Sequence, residues 1–182
     1  MANNRVKYGL KNVYYSIYTP STDTYATPVA VPGAVMLSLS PEGESNNTFY
    51  ADNVAYYVTQ ANQGYSGELE IAIIPDAMKK DVWGWTLDTS GVLIEDNQAS
   101  VKPFALLFQV NGDSYNRNCV LYNCSAGRPE ITGATIAESA EPQTETISIT
   151  AMPRTDGKVQ AVTTDTTATS VITGWYSNVY IN

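Results

Sequence analysis

Phe104-Ala105-Leu106-Leu107-Phe108-Gln109-Val110 runs into Asn111-Gly112-Asp113-Ser114, and Tyr115 to Ser125 carries on from there through Cys119-Val120-Leu121-Tyr122-Asn123-Cys124. Asn-Gly suits the primed turn that joins two antiparallel strands, so this stretch reads as a β-hairpin. Its two arms are apolar at odd and even positions alike. Such a run predicts a central strand covered on both faces, with a neighbouring subunit as one possible cover.

The rest of the chain extends the same reading. Val, Ile and Thr number 47 of 182 residues, Tyr 13 and Leu only 9, a bias toward side chains that suit a pleated surface. Val13 to Tyr18 reads as the first strand, and Pro20, Pro28 and Pro32-Gly33 punctuate the loop after it. Ala34 to Ser40 alternates with Val35, Leu37 and Leu39 on one face, and Pro41 should stop it. Glu42 to Thr48 reads as a polar exposed loop, Phe49 to Gln60 as a strand pattern. Glu68 to Ile74 alternates with Leu69, Ile71 and Ile73 inward. Glu145 to Met152, Lys158 to Thr164, and a final pair at Thr169 to Thr173 and Trp175 to Tyr180 complete the expected strands, with a mobile loop expected at 134–143.

One helix is expected from Pro75 to Trp83. Proline fits its first position, Asp76 its first turn and Gly84 its stop, and Met78, Val82 and Trp85 share one apolar face. At about two and a half turns it must dock on a sheet to persist. The expected fold is mainly β (α+β), a single domain over 1–182. It consists of two packed antiparallel sheets forming a sandwich or partly closed barrel with one short helix. A compact monomer of 19.8 kDa should expose about 8,600 Å².

The composition excludes several chemistries. There is no His, so no Ser-His-Asp triad, Cys-His dyad or imidazole switch. The net charge of −8 argues against tight DNA binding. No apolar run reaches the roughly 20 residues of a membrane-spanning helix, and the N-terminus lacks the apolar core of a secretory leader. Cys119 and Cys124 stand an odd number of residues apart, which on a regular strand puts them on opposite faces and prevents shared metal binding. Carboxylate pairs remain: Glu68 with Glu70, Glu42 with Glu44, Glu95 with Asp96. A solvated surface explains them without catalysis. Neither a Ca²⁺ loop nor a phosphate loop is present, so no catalytic residue, cofactor or metal is expected. Trp83, Trp85, Tyr14, Tyr15, Tyr56, Tyr57 and Trp175 offer aromatic surface for a sugar or, in a chain with so few charges, for a protein partner.

Lys7-Tyr8-Gly9-Leu10-Lys11-Asn12-Val13-Tyr14-Tyr15 resembles the opening of the major tail proteins of non-contractile, long-tailed bacteriophages. So do Ala51-Asp52-Asn53, Gly64 to Glu70, Ile74-Pro75-Asp76, Phe104 to Val110, Arg117 with Cys124-Ser125, and Met152-Pro153-Arg154. The likeness runs in order over nearly the whole chain. It implies homohexameric rings stacked into a tail tube, a virion structure assembled in the bacterial cytoplasm and used for DNA ejection. It implies an inter-ring loop, which chain order places at 41–53 with Glu42, Glu44, Asn46, Asn47 and Asp52 as contact residues. It also implies partners at the tube ends (tape-measure, tail-terminator and distal tail proteins), DNA only in passage, and no membrane. Residues 41–100 carry ten acids against Lys79 and Lys80, which suggests an acidic bore to which Glu68 and Glu70 contribute. An effector-secretion ring protein and a carbohydrate-binding module are the other readings, with a hydrolase using Glu68 or Glu70 more distant.

Overall fold

The hairpin of residues 104–126 sits at the centre of the structure, a computed structural model that describes residues 5–43, 47–59, 61–113, 116–135 and 142–182. In chain order the elements are β1 (Arg5–Thr19), β2 (Thr24–Tyr25), β3 (Val29–Ala30), β4 (Ala34–Glu42), β5 (Asn47–Ala51), β6 (Val54–Thr59), β7 (Gly64–Ile71), α1 (Asp76–Trp83), β8 (Thr86–Leu87), β9 (Leu93–Ile94), β10 (Phe104–Asp113), β11 (Arg117–Ala126), β12 (Glu145–Met152), β13 (Gln160–Val162) and α2 (Thr169–Gly174). Nine strands form one antiparallel sheet with the path β2-β1-β10-β11-β12-β7-β4, while β13 adds to β11 and β3 to β1. The ladders β5–β6 and β8–β9 stand apart as small sheets. The fold is mainly β with a short packed helix, as expected. The large sheet does not close into a barrel, because β4 and β1 are not hydrogen-bonded to each other.

Each face of the central strands has its own core. Phe104 and Leu106 of β10 join Leu121 and Cys124 of β11, Leu69 and Ile71 of β7, Ile147 and Ile149 of β12, and Met78, Val82 and Trp83 of α1. On the other face Ala105, Leu107, Val120 and Tyr122 are covered by Trp175 and Val179 from the C-terminal segment, with Tyr14, Tyr25 and Tyr176 alongside. The second cover is thus the chain's own tail and not a neighbouring subunit.

Several local expectations change, each for a physical reason. Phe104 pairs with Cys124 but Leu106 pairs with Leu121, so β11 carries one extra residue, a bulge. The bulge brings Cys119, opposite Phe108, onto the same face as Cys124, opposite Phe104. Four residues of β10 separate those partners, which holds the thiols about 13 Å apart. A second irregularity between Ala34 and Met36 turns Val35 outward, while Ala34, Leu37 and Leu39 pack on the core. Pro41 does not end β4. It pairs with Tyr65 on a strand whose other edge is open, the place in a sheet that tolerates proline. β7 ends at Ile71, so Ile73 is 70% exposed and Ile74 takes the buried position.

The helix starts one residue later than expected, with Pro75 as its extended N-cap. Gly84, at φ 70°, ends it in the left-handed region. Met78 and Val82 are fully buried. Trp83 supplies the third deep anchor and donates its indole N–H to the Gly127 carbonyl at 2.8 Å. Trp85 lies beyond the helix, half-buried against the core, with the Lys79 ammonium 5.9 Å from its ring. Tyr15 pins the helix to β1 through a 2.7 Å bond from its hydroxyl to Asp81 Oδ2. The expected strand at 169–173 is the short helix α2, and no strand forms at 175–180.

Candidate assembly surfaces

The residues expected to form an inter-ring loop form an arm. β4 and β7 pair as far as Glu42 and Gly64, and the Gln63 N–H reaches the Glu42 carbonyl at 3.0 Å. Beyond this base, β5 and β6 pair from Asn47 with Thr59 to Ala51 with Val54. The two residues at the tip, Asp52 at φ 51° and Asn53 at φ 61°, both take the left-handed conformation that a type I′ hairpin turn requires. Asp and Asn tolerate that region better than most residues, which is why this dipeptide turns the chain. The arm exposes Tyr56 (76%), Tyr50 (66%) and Val54 (63%). Glu42 is in β4 and accepts a hydrogen bond from Ser66 Oγ, Asn47 begins β5, and Asp52 is at the tip, whereas Glu44 and Asn46 lie outside the described residues. The loop expected at 134–143 also falls largely outside them. At its margins the Gln143 amide brackets Ala134, accepting from its N–H and donating to its carbonyl.

A second surface lies where the sheet fails to close. Among the described residues, 5–12 of β1 pair only with β10, and β4 pairs only with β7. Between these two open edges is a cleft of 360 Å³ lined by Lys7, Gly9, Leu10, Leu37, Leu39, Phe108 and Val110. Phe108, Val110 and Lys7 also line an adjoining 330 Å³ cleft with Val6, Arg117, Cys119, Gln160 and Val162. Both clefts are mainly apolar with cationic side chains at the rim.

The third surface is polar. Glu68 pairs with Ser38 and Ser148, and Glu70 with Met36 and Thr146, so β4, β7 and β12 present carboxylates and hydroxyls on one face. The Thr144 hydroxyl donates to Glu70 Oε1 at 2.6 Å, and Glu68 is exposed. Among the described residues neither glutamate joins an ion pair. Glu95 instead pairs with Arg128 at 2.7 Å.

The remaining candidates disperse. Tyr15, Trp83 and Trp175 are buried and Tyr14 packs beside Tyr176 at 4.7 Å, so the aromatic residues do not form one platform; the Tyr57 side chain is outside the described set. Burial pushes the Cys119 thiol up to about 11 and the Cys124 thiol to about 12, the opposite of an activated nucleophile. Among the described residues no group of three or more His, Cys, Asp or Glu is placed to hold a metal ion. No helix among them is long and apolar enough to cross a membrane. The sequence reading passed over a node at Arg154. This buried guanidinium grips Asp156, lies 3.7 Å from Asp23 and stacks 5.3 Å from the Tyr122 ring, tying the turn after β12 to the β1–β2 turn. Its signal in the sequence was Arg154-Thr155-Asp156-Gly157, a cation and an acid flanking a turn.

No family model matches the chain. No curated protein matches it either. Among solved structures it is similar to the anti-feeding prophage cap, a tube terminating cap determined by cryo-electron microscopy, with 12% identity, a TM-score of 0.47, and coverage of 90% of this chain and 99% of that one.

Proposed function

We propose that the chain is a structural subunit that polymerises as stacked homohexameric rings into the tail tube of a long-tailed phage, and that it is not an enzyme. One observation carries the assembly part of this reading. Among the described residues, the β4 edge and residues 5–12 of β1 have no second strand partner, and the β5–β6 arm exposes Tyr50, Val54 and Tyr56. Open sheet edges and an arm with exposed aromatics supply the contacts, because unpaired edges are templates for pairing with another chain. The collinear sequence resemblance supplies the choice of a phage tail over an effector-secretion tube. In this reading the arm bridges successive rings, the hydroxyl-rich face with Glu68 and Glu70 borders the bore, and tape-measure, terminator and distal tail proteins occupy the ends. Duplex DNA slides past carboxylates that do not grip its phosphates.

Negative-stain microscopy with light scattering of concentrated protein, with and without an initiating tail-tip complex, tests the proposal. Rings or tubes are expected. Dispersed monomers under both conditions refute it, and monomers that bind glycans favour the carbohydrate module. Glu68→Lys with Glu70→Lys should leave tubes intact and slow genome ejection; unchanged ejection removes these residues from the bore.

A further inference from the structure

We infer that the cleft between β1 and β4 receives the β5–β6 arm of a second copy of this chain. The inference rests on the assembly reading above and assigns that contact its acceptor. The chemistry of the two surfaces matches. The cleft is apolar, with Leu10, Leu37, Leu39 and Phe108 at its floor and walls. The arm presents Tyr50, Val54 and Tyr56. Their charges are opposite: residues 41–63 hold three acids and neither Lys nor Arg, whereas β1 brings Lys7 to the cleft. The cleft also offers hydrogen bonds, since both bordering strands have unpaired edges along which an inserted strand can add.

The occupant is a second copy because of where the arm begins. It leaves β4 at Glu42, its base is clamped by the Gln63 to Glu42 bond, and none of its described residues lines the cleft. Among the described residues, the cleft and the arm thus lie on different parts of the surface and do not meet within one copy. A contact between the two across copies is heterologous, and it repeats without closing on itself unless rotation forms a ring.

Disulfide trapping tests this. Lys7→Cys is combined with Tyr50→Cys, and separately with Val54→Cys, in the full chain under assembly conditions. After oxidation, a ladder of cross-linked multimers on a non-reducing gel is expected, absent from each single variant. Tubes without a ladder from either pair overturn the cleft assignment and leave the tube reading standing. A disulfide joining positions 7 and 50 or 54 of one chain, mapped apart from any bond to Cys119, overturns it too, by making the chain's own arm the occupant. Wild-type protein that never assembles overturns both. Lys7→Glu covers the case in which the cysteine variants misfold. Lys7 is exposed and lines the cleft, so the subunit should keep its melting temperature while the new carboxylate repels the acidic arm. The concentration needed for tubes should rise about tenfold or more. An unchanged requirement overturns the inference.

Discussion

Gly67→Ala tests the join between β4 and the rest of the sheet, on which both arm and cleft depend. Gly67 lies in β7 opposite Leu39 of β4 and Ile149 of β12. A Cβ built there would stand 1.9 Å from the Ser38 carbonyl oxygen, 2.8 Å from its carbon and 2.9 Å from Leu39 Cα. Carbon and oxygen atoms approach to about 3.3 Å at closest, so β4 must retreat by about 1.5 Å. The flanking β4–β7 hydrogen bonds break at that distance. Losing two or three of them costs about 1 kcal/mol each, and loosening Leu37 and Leu39 from the core adds to it. The lower chain entropy of Ala offsets about 0.4–1 kcal/mol. The net loss should be about 2–3 kcal/mol, a large share of a typical 5–15 kcal/mol stability. Gly9→Ala is the control, being a strand glycine with open space around it, and should lie between neutral and about 1 kcal/mol stabilising. Urea unfolding of unassembled subunits, followed by tryptophan fluorescence, measures both, and hydrogen exchange reads the β4 amides. If Gly67→Ala stays within about 0.5 kcal/mol of wild type and β4 keeps its protection, the close approach of the strands is wrong.

Three further outcomes follow from the same packing. Met78→Ala should cost about 2–4 kcal/mol and Val82→Ala somewhat less, since both are fully buried, while half-exposed Trp85→Ala should cost least; urea midpoints rank them. Trp175→Ala should cost about 3 kcal/mol and expose the second face of β10 and β11, detected by binding of a hydrophobic dye; an unchanged midpoint would mean that the tail is not part of the core. Burial raises the phenols of Tyr15, Tyr18, Tyr25, Tyr122 and Tyr176 above the ordinary value of about 10. Their unfolded forms lose protons first, so stability is full below about pH 10 and falls as pH rises above it. Tyrosinate absorbance should show these five ionising together with unfolding, and their smooth titration in a folded protein would contradict their burial.

What the sequence makes legible is periodicity and punctuation. The 104–126 hairpin, the alternation through Leu69 and Ile71, and the 78–82 helical stripe appear where the residues place them, but Asn111-Gly112 is not the expected two-residue turn: both residues lie in β10, with Asn111 opposite Gly9 of β1, and Val110 pairs with Arg117. What it hides are single-residue shifts and choices made by tertiary contact. One extra residue in β11 reverses the expected relation of the two cysteines, and another near Val35 turns that side chain out. Thr169 to Thr173 is β-branched and strand-like by propensity. It is helical because Val171 packs with Trp175 over β10 and β11, a tertiary contact that overrides the local preference. The arm was readable in part: Asp52-Asn53 between two apolar segments is a two-residue turn. The Gly, Ser and Asn content of 43–47 masks the strand that precedes it.

These corrections move the argument for self-association from faces to edges. Apolar residues in excess of one core suggested a face awaiting a partner, yet the chain folds its own tail over that face. Among the described residues, nothing pairs with the outer edges of β4 and of residues 5–12 of β1, and the arm is exposed at Tyr50, Val54 and Tyr56. An apolar face attracts any other apolar surface, whereas an edge adds a partner only in a defined register, which suits a subunit that must repeat with one geometry. The edges also carry devices that slow indiscriminate pairing: Lys7 and Lys11 on β1, Pro41 on β4. On the proposed reading these devices keep free copies apart until an acidic, aromatic arm neutralises the lysines. Lys7→Ile with Lys11→Ile should therefore make the isolated subunit aggregate without order instead of forming tubes more readily. Faster growth of regular tubes from that variant would show that the lysines only hinder assembly and do not direct it.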